Sequence, residues 1–260
     1  MKAFDRLVGI MARLRAPGGC PWDRQQTHES LREYLLEETC EVLEAIDAGE
    51  ADKLCEELGD LLLQIVFHAE IAGSDGGFGM DEVCARISDK LVYRHPHVFG
   101  EEAPVAEAEG VIPLWERLKR AEAGHAERDS TLDGIPAVLP NLARSYKLQR
   151  RAARVGFDWP DQASRLDKIA EELAELSEAC EDGERERAED EFGDLLFMVV
   201  NVGRGMGLQA EDALRRANAK FERRFRAMER LAGGAEAFAA LDLAGQEALW
   251  CEVKAGEDHQ

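Results

Sequence analysis

Long apolar runs are missing from this sequence, and their absence limits where the protein can function. The longest candidate, Leu61 to Val66, is followed by His68 and Glu70, whereas a membrane-spanning helix needs roughly 20 apolar residues. Residues 1–14 place apolar and charged side chains on different faces of a helix, unlike the uninterrupted apolar core of a signal peptide. We therefore expect a cytoplasmic protein with no membrane partner.

Cysteine pairs and positive charge are also scarce. The six cysteines form no CxxC pair, so reduced thiols are expected rather than a disulfide framework. Because 53 residues are acidic and 32 are basic, the net charge is -21, and the overall field repels DNA and RNA. We expect no nucleic-acid partner, and an anionic substrate would need metal ions and local cations in order to bind.

Helical periodicity extends along most of the chain, and no convincing run of alternating β-branched residues occurs. The sequence therefore predicts an all-α fold. Around Trp115 the composition turns to Ala, Glu, Gly and Pro, which is typical of a linker with one short helix. The predicted organisation is an N-terminal helical domain over residues 1–110, a linker over 111–135 and a C-terminal helical domain over 136–260.

The chain contains an internal repeat. Four acidic residues recur with identical spacing 134 residues later, and Gly49 recurs as Gly183 at the same offset. The repeated acids are Glu38, Glu41, Glu57 and Asp60 in the first copy and Glu172, Glu175, Glu191 and Asp194 in the second. The basic residues that recur downstream, at an offset of 130, pair Lys90 with Lys220 and Arg94 with Arg224. A fixed offset predicts two homologous helical bundles in tandem.

The repeated acids lie at the border of a predicted core. At about 100° per residue, Glu172 and Glu175 flank the apolar face that carries Ile169 and Leu176. If the helices on either side of Gly183 pack antiparallel, the four carboxylates converge, and ionised acids about 4 Å apart repel by roughly 4 kcal/mol per pair. A divalent cation would remove this repulsion. Oxygen ligands without His or Cys favour Mg²⁺, with Mn²⁺ as a substitute.

A plainer interpretation of the acids is that they are solvated residues on acidic helices. This interpretation is adequate for any single pair spaced i, i+3. It does not account for the same four positions appearing twice, each time beside core residues.

Wider motifs resemble those of a known family. The spacing Glu-x-x-Glu, fifteen residues, Glu-x-x-Asp resembles the signature of the all-α nucleoside triphosphate pyrophosphohydrolases. From about residue 4 to residue 254 the sequence resembles the two-domain MazG family. The motifs that carry the resemblance are Gly19 to Asp23, Gln26 to His28, Glu37 to Thr39, Glu56 to Asp60, Val155 to Trp159 and Asn218 to Phe225. The resemblance implies two tandem bundles of the MazG type.

The resemblance also implies an activity. It implies Mg²⁺-dependent hydrolysis of (deoxy)nucleoside triphosphates to the monophosphate and pyrophosphate, with broad specificity in housekeeping of the nucleotide pool. Glu172, Glu175, Glu191 and Asp194 are then the catalytic metal ligands, and the acids of the first copy bind metal as well. The residues expected on the substrate side are Lys220, Arg224, Lys168, Glu171, Lys119, Asn218 and Trp250.

Several alternatives remain open. A narrow dUTP or dCTP pyrophosphatase would carry the same acids, and so would a non-catalytic helical protein that binds metal and regulates a partner. Lys220 and Arg224 can also be interpreted as part of an exposed basic helix. Trp250 can also be interpreted as a residue that only packs against its neighbours.

The two copies differ outside the acids. The first copy has Phe67 and Ser88 where the second has Asn201 and Asn218. We predict metal binding in both copies and the main turnover in the second, as the family resemblance implies. The same resemblance and the amphipathic helices predict a homodimer.

Overall fold

The structure is a computed structural model that describes residues 2–100 and 129–257, together with the isolated helical positions 111, 114 and 118. Every regular element in these residues is a helix, which confirms the predicted all-α class. The chain divides into two compact units, Met1–Ala126 and Glu127–Gln260. Most of the predicted linker, including Trp115, lies outside the described residues, so its limits stay a prediction.

The first unit is built around an antiparallel helix pair. Its helices are α1 (Lys2–Arg15), α2 (Pro21–Gln25), α3 (Arg32–Ala48), α4 (Ala51–Ser74), α5 (Met80–Arg94) and α6 (Pro96–Phe99). Helix α4 packs against α3 and α1. The core lies where the C-terminal half of α4 packs against α1. The residues buried together there are Met11, Leu31, Val66, Phe67 and Ile71.

The second unit repeats this design. Its helices are α7 (Asn141–Ala153), α8 (Gln162–Glu181), α9 (Arg185–Gly205), α10 (Ala210–Leu231), α11 (Ala235–Ala239) and α12 (Leu243–Glu257). Asp161 caps the N-terminus of α8, because its carboxylate accepts a hydrogen bond from the Ser164 N–H at 2.8 Å and so satisfies one free N–H of the first turn. Helix α9 packs along α8 and also contacts α7, while α12 packs on α10.

The tight turns at Gly49 and Gly183 set the antiparallel pairing in both units. Their φ angles are +70° and +72°, a left-handed conformation that glycine adopts without steric cost. The hydrogen bonds that close the two turns run from Glu50 N–H to the Ala45 oxygen (3.3 Å) and from Glu184 N–H to the Ala179 oxygen (3.1 Å). The two units therefore share even the individual backbone hydrogen bonds of this turn.

The two units differ in what fills equivalent core positions. In the first unit Leu31, Phe67 and Ile71 are 1%, 3% and 5% exposed. The residues 134 positions later are Arg165, Asn201 and Gly205. Arg165 and Asn201 are buried as well, and a Cβ at position 205 would lie 3.0 Å from Arg165 Nη1. An apolar core in one unit is thus replaced by a buried polar cluster in the other.

All six cysteines lie in the structure as free thiols. Among the described residues, no helix combines the length and the apolarity that crossing a bilayer requires.

Candidate active site

The helix pairing brings acids together in both units. Carboxylate oxygens of Glu38, Glu41 and Glu57 all lie within 4.8 Å of one another, and so do those of Glu172, Glu175 and Glu191. We call these groups the first and the second acid cluster. Each takes two acids from the first helix of the pair and one from the second, because the antiparallel packing across the glycine turn places the i, i+3 pair opposite its partner.

The fourth acid of each predicted quartet does not join this close grouping. Asp60 is half-buried and Asp194 is exposed. Each lies almost one turn beyond the clustered glutamate of the same helix, and an aspartate side chain is one methylene shorter. Asp60 still raises the pKa of Glu38 by electrostatic repulsion, so it lies within electrostatic range of the first cluster.

The first acid cluster has an excess of negative charge. Burial raises the pKa of Glu38, and repulsion from Asp60 and Glu41 raises it further. Burial and the neighbouring Glu41 likewise raise the pKa of Glu57. Carboxyl groups in this situation take up protons or bind a cation.

The second acid cluster has cations beside it. Lys168 Nζ lies 2.8 Å from Glu172 Oε1 and 2.8 Å from Glu171 Oε1, and these hydrogen bonds raise the pKa of Lys168. Arg187 Nε lies 3.7 Å from Glu191 Oε1. The positions equivalent to Lys168 and Arg187 in the first unit are Tyr34 and Lys53. Lys53 offsets part of the rise in the pKa of Glu57, so the cation that distinguishes the second cluster is Lys168. Part of the cluster charge is therefore balanced by side chains in the second unit.

The donor set of each cluster fits a hard divalent cation. Two ligands on opposite sides of an octahedral Mg²⁺ lie about 4.2 Å apart, so oxygens within 4.8 Å of one another reach one ion with small side-chain movements. Neither cluster contains the sulfur or imidazole ligands that select zinc or copper.

The predicted phosphate contacts are on α10. Lys220 and Asn218 are exposed, and Arg224 is half-buried. Lys220 and Arg224 are spaced i, i+4 and so share one face of the helix. Among the described residues, no hydrogen bond or ion pair joins either cation to the acid clusters, and their role toward phosphate stays a prediction.

The remaining substrate-side residues fall into different environments. Trp250 on α12 has the Arg224 guanidinium 5.4 Å from its ring centre and the Phe221 ring 5.8 Å away, so it is packed against α10, and its stacking on a base is untested. Glu171 is exposed and paired with Lys168. Lys119 lies outside the described residues.

Sequence reasoning missed Arg187 and the buried polar cluster of the second unit. Asn201 Oδ1 accepts a hydrogen bond from Arg165 Nε at 3.0 Å, and Asp158 Oδ1 accepts hydrogen bonds from Arg165 and Arg204. The signal was available, because the offset of 134 places polar residues where the first copy has Leu and Phe. For Arg187, a run of charges at a helix start gave no indication of which side chain reaches the acids.

Comparisons with known proteins agree with this arrangement. The model of the MazG nucleotide pyrophosphohydrolase domain matches twice, over residues 26–99 and 161–228. These matches include all eight repeated acids. The nucleoside triphosphate pyrophosphohydrolase of Escherichia coli strain K12 is 46% identical over 262 residues, which is 99% of each chain.

Two further relatives extend the match. The nucleoside triphosphate pyrophosphohydrolase/pyrophosphatase MazG of Thermotoga maritima is 46% identical over 88% of this chain and 86% of its own. The uncharacterized protein YabN of Bacillus subtilis is 44% identical over 98% of this chain and 52% of its own. With both helical units matched by the same domain and both acid clusters within them, this chain belongs to the MazG nucleotide pyrophosphohydrolase family.

Proposed function

We propose that this chain is a Mg²⁺-dependent enzyme that hydrolyses nucleoside triphosphates to the monophosphate and pyrophosphate, with broad base specificity. The enzyme class, nucleoside triphosphate pyrophosphohydrolase, follows from family membership and from identity over nearly the whole chain. The observation that carries the proposal is the second acid cluster, three carboxylates within 4.8 Å with a lysine beside them.

The residues of the second unit have distinct proposed roles. Glu172, Glu175 and Glu191 would hold the metal, and Asp194, which follows Glu191 on α9, would add negative charge next to them. Bound Mg²⁺ supplies charge neutralisation for the triphosphate and acidifies a coordinated water. Lys168 places a positive charge beside the acids, while Lys220 and Arg224 add two more on α10. Phosphoryl transfer depends mainly on such positioning and charge stabilisation.

The differences between the copies support assigning the main turnover to the second unit. Its cluster has Lys168 in hydrogen-bond contact with Glu172, whereas the first unit has Tyr34 at that position. The downstream arginine also differs, since Arg94 is buried and Arg224 is half-buried. We propose that the first cluster binds metal and contributes little turnover.

A product assay tests the reaction. The protein is incubated with each NTP and dNTP, with Mg²⁺ or with EDTA, and pyrophosphate is distinguished from orthophosphate. We expect pyrophosphate and monophosphate from several nucleotides with Mg²⁺, and no turnover with EDTA. Orthophosphate release, or no product from any nucleotide, would refute the reaction. Turnover of dUTP or dCTP alone would refute only the broad specificity.

We also propose a homodimer in which the apolar faces of the helix pairs are covered by a second copy. In the second unit Leu166, Leu173, Phe192 and Val199 are roughly half exposed, at 49% to 55%. They are spaced i, i+7 on α8 and on α9, so each pair lies on one helical stripe. Exposed stripes of this kind on a pair of adjacent helices mark a protein interface.

Sedimentation equilibrium tests the dimer. We expect twice the chain mass at micromolar concentration for the wild type, and dissociation on the combined replacement Leu173→Glu and Phe192→Glu, because two charges would be buried without partners. Val138→Glu is the matched control, since Val138 is 83% exposed in a loop, and it is expected to leave the mass unchanged. A wild-type monomer at micromolar concentration would contradict the proposal.

A further inference from the structure

Helix α12 holds one arginine of α10 in a defined orientation. Arg224 Nε donates to Glu257 Oε2 at 2.8 Å, and Arg224 Nη2 lies 2.7 Å from the same oxygen. The guanidinium carbon also lies 5.4 Å from the centre of the Trp250 ring, within cation–π range. Trp250 and Glu257 are seven residues apart on α12 and so lie on one face of that helix. Glu257 therefore binds one edge of the Arg224 guanidinium, and the Trp250 ring covers one of its faces.

Three neighbours on α10, Lys220, Arg223 and Arg226, do not combine an ion pair to α12 with a ring contact among the described residues. Arg223 also contacts Glu257, at 3.1 Å, but its side chain is 63% exposed, compared with 17% for Arg224. Arg226 pairs with Glu222 on the same helix, and both side chains are at least 60% exposed. Exposed pairs of this kind contribute little. Lys220 is exposed and, among the described residues, has no ion pair.

The Glu257 contact leaves part of the Arg224 guanidinium available. The group has five N–H donors in a planar fork, and the contacts with Glu257 use Nε and Nη2. Hydrogen bonds from Arg224 hold the pKa of Glu257 below its usual range although burial opposes this, so the carboxylate is ionised at neutral pH. The pair is therefore formed before any nucleotide binds.

We propose that Glu257 is a positioning residue, which fixes Arg224 in the orientation that receives a nucleotide phosphate. The inference rests on the proposed function, because it takes Arg224 as a phosphate contact. A free arginine loses most of its rotamer freedom when it binds a phosphate, and an arginine that is already fixed does not. Competition between the Glu257 carboxylate and the phosphate for Arg224 would weaken binding. This effect is smaller, because the contacts with Glu257 leave other donors of the guanidinium unused.

Steady-state kinetics of position 257 variants tests the inference. Glu257→Ala is expected to raise KM for the triphosphate about tenfold and to leave kcat within about twofold. Without Glu257 the Arg224 side chain is free, so it loses conformational entropy when the triphosphate binds. Glu257→Gln keeps an oxygen that accepts from Arg224, and it is expected to restore KM to within about threefold of wild type. Glu252→Ala, an exposed acid on the same helix, is the matched control and is expected to change neither parameter.

The double variant separates positioning from a general structural effect. In the Arg224→Ala background, Glu257→Ala is expected to cause no further rise in KM, because the arginine that Glu257 positions is already absent. An additive rise would overturn the inference. So would an unchanged or lowered KM in Glu257→Ala, or a Gln variant as impaired as the Ala variant. A wild type without pyrophosphate release would instead overturn the proposed function.

Discussion

Replacing Glu191 by glutamine is expected to lower the rate of pyrophosphate release on the order of 100- to 1,000-fold, the loss typical of removing one charge-stabilising group from an active site. Glu191 is the one member of the second acid cluster that α9 supplies. Glutamine has nearly the same size and one oxygen fewer to offer, and it carries no charge. The variant should therefore fold normally and lose the metal ligand.

Glu57→Gln is the matched control for this experiment. Glu57 occupies the equivalent position in the first acid cluster, so the substitution removes the same chemistry from the other unit. We expect its rate to stay within about twofold of wild type, because we assign the main turnover to the second unit. Full activity in Glu191→Gln together with its loss in Glu57→Gln would reverse that assignment.

Replacing Asp158 by alanine is expected to destabilise the second unit by about 3 kcal/mol, because it leaves two buried guanidinium groups without their carboxylate. The side chains of Arg165 and Arg204 are 10% and 11% exposed. For a unit of this size, the loss corresponds to a fall in melting temperature of roughly 10 °C. Differential scanning calorimetry of the variant measures it.

The pH dependence of this loss has a defined sign. Burial favours the neutral form of Asp158, but hydrogen bonds from Arg204 and Arg165 outweigh it and lower the pKa below the usual 3.8. A lowered pKa gives stability that is present above pH 3.8 and is lost as the pH falls through the folded value. The difference between wild type and variant should therefore be constant from pH 7 to 5 and shrink in stronger acid.

An exposed carboxylate on α8 provides the control for Asp158, which precedes that helix. Asp167 is exposed, and among the described residues it has no hydrogen bond or ion pair. Asp167→Ala removes the same charge and is expected to leave the melting temperature within about 1 °C, as exposed surface substitutions usually do. Equal melting temperatures for both variants would show that the polar cluster does not stabilise the unit.

The helical class, the glycine turns and the approach of the acids could be predicted because each follows from local periodicity. An i, i+3 acid pair and a left-handed glycine constrain the chain within one or two turns. Repetition at a fixed offset then supplied the tertiary information, since two helices that carry the same pattern twice are expected to pack the same way twice.

Long-range partners of charged side chains could not be predicted in this way. The offset of 130 selects Arg224 on α10, but it does not show that Glu257 and Trp250 on α12 hold its side chain. The fourth acids show the same limit, because periodicity gives the face of a helix but not the reach of each side chain. Asp194 accordingly lies outside the close grouping that its spacing predicts.

The metal sites can be tested most directly by anomalous diffraction from crystals grown with Mn²⁺ and a non-hydrolysable nucleoside triphosphate. We predict an anomalous peak bonded to carboxylate oxygens of Glu172, Glu175 and Glu191, and a second peak among Glu38, Glu41 and Glu57. Well-ordered acids at both clusters with no anomalous density between them would contradict the account.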